Sequence, residues 1–357
     1  MKSHKSTTLK NFRIVESLDH GQWDKYVYEH PRGSIFHTRH LVDVFRRTKN
    51  YCPLFLAAVD EGQQILALLV SVRVQTLPNP LGKLSSRSIF YAEPLCSDEP
   101  RGVEALSALL AEHDSRLRGK VLFSEVRALH AAGSEQEALT RQGYEHNGYL
   151  NFLVDLRQPS DVLWGRLTGS CRSNIRRGEK HGLTIEEVTC DKGVDTLYPI
   201  LNLTYGHAGV PLADKSLFTH ALRILQPLDM IKIFAAYHSG QPVGASVVLL
   251  YKKVVYEWYW GVQRIKSIYP AECVTWHRIN WGQQRNYNFY DFGGAGWPHK
   301  PYGVRDFKAK FGGDLVNYGR YRKVYSPWMF SLGERAYEWR RKLTSPTKWL
   351  AGRRAPA

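Results

Sequence analysis

The sequence predicts an α/β protein with mixed sheets, built from two tandem domains of similar architecture. A strand-turn-strand segment at residues 55–70 recurs as residues 233–248, with matching alanines, glycine, glutamine and valine. A repeat separated by about half the chain indicates one supersecondary unit used twice, although two short hairpins can also resemble each other by chance. The same order of flanking elements accompanies each copy. A chain of 357 residues, 43% of them hydrophobic, is long enough to bury two cores.

In the first half, apolar runs bounded by turn residues predict strands, and the turn at residues 60–62 joins two of them into a hairpin. Pro100 predicts the start of a helix, because proline is favoured at the first helical position. The predicted strands are 54–59, 65–74, 88–91, 121–126 and 149–154, and the predicted helices are 42–47, 100–117 and 134–142.

In the second half the pattern restarts after Gln158-Pro159. Apolar residues at every fourth position from 163 to 175 predict a helix face, and Gly165 and Gly169 favour its division into two pieces. Helices are predicted at 194–205, 214–225 and 270–285, and strands at 230–237, 243–250, 254–260 and 289–292. The expected domains are 14–156 and 157–316, followed by a C-terminal segment, 317–357, that ends in a basic tail.

The charge and the cysteines narrow the partners and the compartment. A formal charge of +16 favours anionic partners. The five scattered cysteines lack zinc or redox spacing, so we expect a cytoplasmic protein without a metal site. No apolar run is long enough for a membrane span, but the aromatic and basic tail from Trp328 is a candidate for contact with the inner face of a membrane.

The densest candidate site is the glycine-rich segment 290–296, together with residues 302–313. Glycines at the end of a strand allow close approach of a ligand, so Gly293 and Gly294 are predicted to bind substrate, with Tyr302 beside them. Lys308 and Lys310 can hold negative charge there. The alternative is a tight turn flanked by a solvated lysine face.

A second candidate is a basic row on the helix that follows residue 169. Arg172, Arg176 and Lys180 are spaced four apart and share one helical edge, with Asn174 between them. Such an edge suits a phosphate or carboxylate, so Arg172, Asn174 and Arg176 are predicted to bind substrate. An ordinary solvated face is the alternative.

These motifs resemble the Fem-type branch of the GNAT acyltransferase superfamily. The resemblance rests on Arg172-x-Asn-Ile-Arg176, on Tyr290-Asp-Phe-Gly-Gly294 and on Phe307-Lys-x-x-Phe-Gly-Gly313, and it extends from about residue 34 to residue 321. It implies two GNAT-like domains in tandem, with the C-terminal segment 317–357 returning to the first domain. It also implies transfer of an acyl or aminoacyl group to an amine, with most of the chemistry in the second domain.

Within this resemblance we assign provisional roles. Lys308 is expected to stabilise the oxyanion, backbone amides around 244–246 to hold the donor, and Asp291 either to accept the proton or to cap the glycine turn. His207 stands where relatives that recognise a nucleotide-linked muropeptide have a phosphate-pairing arginine, and it is a candidate base or acceptor contact. Tyr259 lies in an aromatic strand that either lines a sugar or peptide groove or packs in the core.

The expected function is Fem-like transfer to an amine of a cell-wall or surface-glycan precursor, such as a peptidoglycan precursor. The acyl donor is aminoacyl-tRNA or acyl-CoA, and the acceptor amine is a candidate for lipid or nucleotide linkage. A glycine-rich CoA pyrophosphate loop is not evident in the second domain. The alternatives are a CoA-dependent N-acetyltransferase for a small amine or amino sugar, and a non-catalytic RNA-binding protein.

Overall fold

The computed structural model describes residues 12–76, 82 and 85–344. The part of the basic tail from residue 345 onward lies outside the described residues. In the first half the elements are β1 Phe12–Val15, α1 His20–Glu29, α2 Arg39–Arg47, β2 Tyr51–Asp60, β3 Ile65–Val74, β4 Arg87–Phe90, β5 Leu95–Cys96, α3 Pro100–Leu117, β6 Phe123–Arg127, α4 Ser134–Arg141 and β7 Glu145–Asn147. A 3-10 turn at Ile35–His37 precedes α2.

The second half contains β8 Leu150–Asp155, α5 Ser160–Arg166, α6 Gly169–Lys180, β9 Thr184–Glu187, α7 Asp191–Ala208, α8 Lys215–Leu225, β10 Ile231–His238, β11 Gln241–Tyr251, β12 Val254–Val262, α9 Pro270–Gln284, β13 Phe289–Gly294, α10 Gly303–Ala309, β14 Asp314–Asn317, β15 Arg320–Val324 and α11 Pro327–Thr344. The first sheet has the order β1-β2-β3-β4-β6-β15-β7, with β5 paired to β3. The second sheet has the order β14-β8-β13-β12-β11-β10-β9.

The repeated sequence segment forms the same antiparallel hairpin in both halves. It is β2–β3 in the first sheet and β10–β11 in the second. Each hairpin has a register shift at the equivalent place, after Ala58 in one copy and after Ala236 in the other. Because a bulge is a specific device rather than a general property of hairpins, its recurrence supports the duplication. The predicted fold of two tandem mixed-sheet domains is confirmed.

The two halves exchange strands. β8 follows β7 in the chain but lies in the second sheet, between β13 and β14. β15 follows β14 but lies in the first sheet, between β6 and β7, so the C-terminal segment returns to the first domain as predicted. The run at 149–154, expected to end the first domain, is therefore a strand of the second. An apolar run shows that a strand is buried but not which sheet it joins. We propose that the domain limits follow the sheets, with the boundary between β7 and β8.

The interface between the halves is apolar. Leu41, Val44 and Phe45 of α2 lie in one core cluster with Leu217 and Phe218 of α8. The same cluster continues to the second sheet through β10 and β11. Burial of side chains from both halves in one core fixes the two sheets relative to each other and shapes the space between them.

Each sheet contains one parallel pair of strands, and these pairs position the groove. β4 and β6 are parallel in the first sheet, and β12 and β13 are parallel in the second. β12 and β13 pair only from Val254 to Tyr256 and then separate. Trp258 is an extra residue in the register of β12 with β11, because Val248 pairs with Glu257 and Val247 with Tyr259. A bulge bends its strand and turns neighbouring side chains, here towards the gap between β12 and β13.

Candidate active site

A cavity of about 470 Å³ lies between the two sheets, and we name it the interdomain groove. Its lining comes from the carboxyl ends of both parallel strand pairs, including Tyr91 and Arg127 of the first half and Glu257 and Gly293 of the second. Tyr149, from the β7–β8 link, and Gly319, from the β14–β15 link, also line the groove, as do residues of α7 and α10. Ligands of open α/β sheets bind outside the carboxyl ends of the strands, so this groove is the candidate active site.

Lys308 lies in the groove on α10 and is buried. Its Nζ donates to the carbonyls of Phe292 at 2.5 Å and Gly294 at 2.9 Å. An ammonium has three donors, and the third N–H has only long contacts, with the Gly293 carbonyl at 3.4 Å and with Glu257 Oε1 at 3.7 Å, so it can turn to a ligand oxygen in the groove. Burial lowers the pKa of Lys308, and the carboxylates of Glu257 and Asp291 oppose that shift. The structure therefore places a buried cation at the end of β13, beside Gly293 and Gly294, which we name the β13 corner.

Asp291, on β13, is both a structural cap and a groove residue. Its Oδ1 accepts from the Gly293 N–H at 2.7 Å and from Asn151 Nδ2 at 2.8 Å. Both bonds use Oδ1, and Asp291 lines the groove, so Oδ2 is the oxygen available to a ligand. Burial raises the pKa of Asp291, while these hydrogen bonds and Lys308 oppose the rise. A carboxylate with a raised pKa is better suited to accept a proton than an ordinary surface aspartate.

The backbone and packing of the corner require glycine at both positions, 293 and 294. Gly293 has φ +65°, a left-handed conformation that costs other residues free energy. Gly294 packs against the ring of Tyr149, where an added Cβ would lie 2.6 Å from a ring carbon. Both also line the groove. The turn that the sequence analysis offered as an alternative is therefore real, and it presents backbone to the site.

Two further groups of the site were missed by the sequence analysis. Glu257 of β12 lines the groove and forms ion pairs with Arg278 at 2.9 Å and Lys308 at 3.7 Å. Arg278 of α9 is 1% exposed and also donates to Ser246 Oγ and Thr275 Oγ1. The available signal was one acidic residue in the otherwise apolar and aromatic strand 254–260. A buried carboxylate between two cations holds Lys308 in place.

Tyr259 and Tyr302 both line the groove, and their roles in substrate binding stay predictions. Burial raises the pKa of Tyr259 well above its usual value, so its hydroxyl stays protonated. Its ring packs edge-on against Phe218 at 4.9 Å. The side chain therefore belongs to both alternatives of the sequence analysis: it packs on the core and faces the groove.

Arg172, Asn174, Arg176 and Lys310 are absent from the lining of the groove. Arg172 donates to the carbonyls of Trp164, Gly165 and Leu167 around the end of α5, where the last carbonyls of a helix lack partners within it; Trp164 also accepts from the Leu167 N–H. The helix is interrupted between α5 and α6, as predicted from Gly165 and Gly169.

The other members of that basic row are engaged elsewhere. Asn174 and Lys310 both contact the buried carboxylate of Glu272 on α9, at 3.1 Å and 3.4 Å. Arg176 is exposed, and its guanidinium lies over the ring of Trp164. Helical spacing places Arg172 and Arg176 on one edge of α6, but that edge does not line the groove, so the substrate-binding roles of these residues stay predictions.

The donor-binding role expected of the 244–246 amides is wrong, and His207 lies outside the groove lining. His207 is exposed on α7 and does not line the groove, although Thr204 and Tyr205 on the same helix do. The segment 244–246 pairs on both sides, with β10 and with β12, and Ser246 is fully buried. Backbone amides committed to the sheet have no free donor for a ligand. The open edge is the separation of β12 from β13.

Residues 169–301 match the family model of the acetyltransferase (GNAT) domain, a segment that ends just before α10. This segment of the chain is therefore similar to a GNAT acetyltransferase domain, and it spans less than half of the chain. No curated protein matches the chain by sequence. Among solved structures, FemX has a TM-score of 0.66 at 13% identity, over 90% of this chain and 99% of FemX.

Two further solved structures have the same tandem arrangement. L-PGS from Bacillus licheniformis has a TM-score of 0.55 at 12% identity, over 93% of this chain and 100% of that chain. A tandem GNAT protein from the clavulanic acid biosynthesis pathway has a TM-score of 0.52 at 10% identity, over 88% and 98%. The family match confirms the acyltransferase class, and the structures confirm the tandem fold that the Fem-type resemblance implied.

Two features are absent from the described part of the chain. Over residues 12–76, 82 and 85–344, acidic, histidine and cysteine side chains form no cluster of three or more that could hold a metal. Within the same ranges, no helix combines the length and the hydrophobicity of a membrane span.

Proposed function

We propose that the protein transfers an acyl group, and specifically an aminoacyl group, to an amine of a cell-wall or surface-glycan precursor bound in the interdomain groove. The observation that carries the proposal is the corner of β13. There the buried ammonium of Lys308 and the free oxygen of Asp291 face one cavity shared by both domains. The likeness to FemX and L-PGS supports this choice among the reactions of GNAT enzymes.

In the proposed reaction the acceptor amine attacks the carbonyl carbon of the donor. A new C–N bond forms, and the carbonyl oxygen gains negative charge. The remaining N–H of Lys308 donates to that oxygen. Asp291 Oδ2 accepts the proton of the amine, and the donor leaves with its electron pair as the tetrahedral intermediate collapses. Glu257 and Arg278 keep Lys308 in position and make no contact with the reacting atoms.

The start of α9 favours an aminoacyl donor over acyl-CoA. In simple GNAT enzymes the resemblance places the CoA pyrophosphate at a glycine-rich helix start, where backbone N–H groups attract an anion. Here α9 begins at Pro270 with the acidic Glu272 in its first turn. The Glu272 carboxylate is buried and already holds Asn174 and Lys310. A fixed negative charge in the first turn opposes the binding of pyrophosphate.

The test is transfer in vitro with two donors, acetyl-CoA and charged tRNA, and a panel of amine acceptors that includes muropeptide precursors. Mass spectrometry detects the new amide. Lys308→Ala is expected to lower the rate about a hundredfold, because loss of one electrostatic contact to an oxyanion costs about 3 kcal/mol of barrier.

Lys310→Ala is the matched control, since Lys310 belongs to the same short segment but lies outside the groove. It should retain nearly full activity. Equal activity of wild type and Lys308→Ala would contradict the assigned site. Binding of RNA without transfer from either donor would favour the non-catalytic alternative.

A further inference from the structure

The first-domain wall of the groove has more cationic than anionic side chains. Arg87, Arg127 and Arg320 line it. Arg127 and Arg320 share one carboxylate, Glu125, with Arg322, at distances of 3.3, 2.9 and 2.7 Å. Three guanidinium groups on two neighbouring strands thus share one carboxylate, while Arg87 donates to Thr76 Oγ1.

The neighbouring carboxylate Glu93 does not supply the missing charge. It is fully buried, and it accepts from His130 Nδ1 at 2.5 Å and from the N–H of Leu129 at 2.8 Å. Its oxygens are therefore committed to the loop after β6. The first-domain wall of the groove keeps a net positive charge at neutral pH.

The opposite wall is balanced. Lys308 and Arg278 carry two positive charges there, and Glu257 and Asp291 carry two negative charges when ionised. An anionic ligand group therefore gains more by contact with the first-domain wall than with the reacting corner. The two walls differ in charge although they derive from equivalent parts of a duplicated fold.

The arginines are held in fixed orientations. Arg127 and Arg320 are directly opposite each other in the antiparallel pair β6–β15. The guanidinium of Arg320 lies 3.5 Å from the ring centre of Tyr149, and that of Arg127 lies 5.3 Å from the ring centre of Tyr91. Burial lowers the pKa of Arg320, against the opposing effect of Glu125. Stacked guanidinium groups offer planar donors that suit carboxylate and phosphate oxygens.

We infer that Arg127 and Arg320 bind an anionic group of the acceptor, a phosphate or a carboxylate, while its amine reaches the corner at Lys308. The inference rests on the proposed function, because it assigns the acceptor to this groove. A cavity of about 470 Å³ holds a small-molecule group and not a nucleic-acid duplex. The first domain then reads the acceptor, and the second carries out the transfer.

The test measures anion binding without any acyl donor. The full chain is titrated calorimetrically with pyrophosphate and, separately, with acetate, in chloride buffers of matched ionic strength. Arg127→Gln is compared with Arg322→Gln, which removes a charge from the same carboxylate but lies outside the groove lining. We expect at least a tenfold loss of affinity in Arg127→Gln and less than a twofold change in Arg322→Gln.

Further arms exclude a folding artefact and identify the anion. Glu125→Gln removes the shared counterion, so it should bind the anion more tightly than wild type; circular dichroism confirms that each variant is folded. Preference for pyrophosphate indicates a phosphate-bearing acceptor, and preference for acetate a carboxylate-bearing one. Equal affinity of wild type, Arg127→Gln and Glu125→Gln for both anions would overturn the inference, even if transfer is observed. Loss of anion binding in Arg127→Gln, with no transfer by wild type, would overturn the proposed function alone.

Discussion

Glu257→Gln is the sharpest perturbation of the buried charges at the site. Gln keeps the shape of the side chain and an oxygen for the hydroxyl of Tyr290, which lies 3.0 Å from Oε2. It removes the negative charge that Arg278 and Lys308 share. Loss of one partner from a buried ion pair costs about 3–5 kcal/mol, because the remaining charge is left without compensation. We expect a loss of this size in the free energy of unfolding near pH 6.

The loss of unfolding free energy in Glu257→Gln, relative to wild type, should become smaller as the pH rises. Burial lowers the native pKa of Lys308, and Glu257 opposes that shift. In the variant the native pKa falls further below that of the unfolded chain. Between the two pKa values the unfolded state binds more protons, so stability rises with pH there. The rise should begin at a lower pH in Glu257→Gln than in wild type.

Urea unfolding from pH 6 to pH 9 measures both effects and needs no substrate. Glu272→Gln is the matched control: Glu272 is also a buried carboxylate, but its lysine partner, Lys310, is partly exposed and lies outside the groove. The control should cost less and show no such pH-dependent recovery. A Glu257→Gln variant within 1 kcal/mol of wild type at pH 6, with a parallel pH profile, would refute the reasoning.

Three other predictions concern the walls of the groove and its supports. Three arginines outweigh burial and lower the pKa of Glu125 to about 2. Wild type should therefore lose about 3 kcal/mol of unfolding free energy as the pH falls from 4.5 to 2. Acid titration of Glu125→Gln should not show this loss. Gly293→Ala should lower the free energy of unfolding by about 1–2 kcal/mol in thermal unfolding, because residue 293 has a positive φ. Gly165→Ala, at a helical position with open space around it, should be neutral or stabilising. Equal losses in the two variants would contradict this. Arg172→Met should lose about 1–2 kcal/mol in urea unfolding and leave KM unchanged, and a raised KM would restore Arg172 to the binding site.

The sequence predicted the architecture well because its signals are local and repeated. The predicted limits of β3 are those observed, and Pro100 and Pro270 begin helices as expected. The duplicated hairpin gave the tandem arrangement. The sheet of residues 149–154 was assigned wrongly, since the exchange of β8 and β15 is a long-range choice that no local pattern encodes.

The site was predictable where one segment supplies both the turn and the side chain. Gly293, Gly294 and Lys308 lie in neighbouring motifs, and they do meet in the groove. The basic row on α6 was misplaced because helical spacing defines an edge but not the direction in which the edge faces. Glu257 was missed for the converse reason: its partners, such as Arg278, come from another element.

The most direct test of the central claim compares Lys308→Ala with Lys310→Ala in the transfer assay at equal protein stability. The claim is that a buried cation at the β13 corner, inside a groove shared by both domains, stabilises the reacting carbonyl. It predicts about a hundredfold loss of rate in Lys308→Ala and nearly full activity in Lys310→Ala. Equal rates in the two variants, or a greater loss in Lys310→Ala, would contradict it.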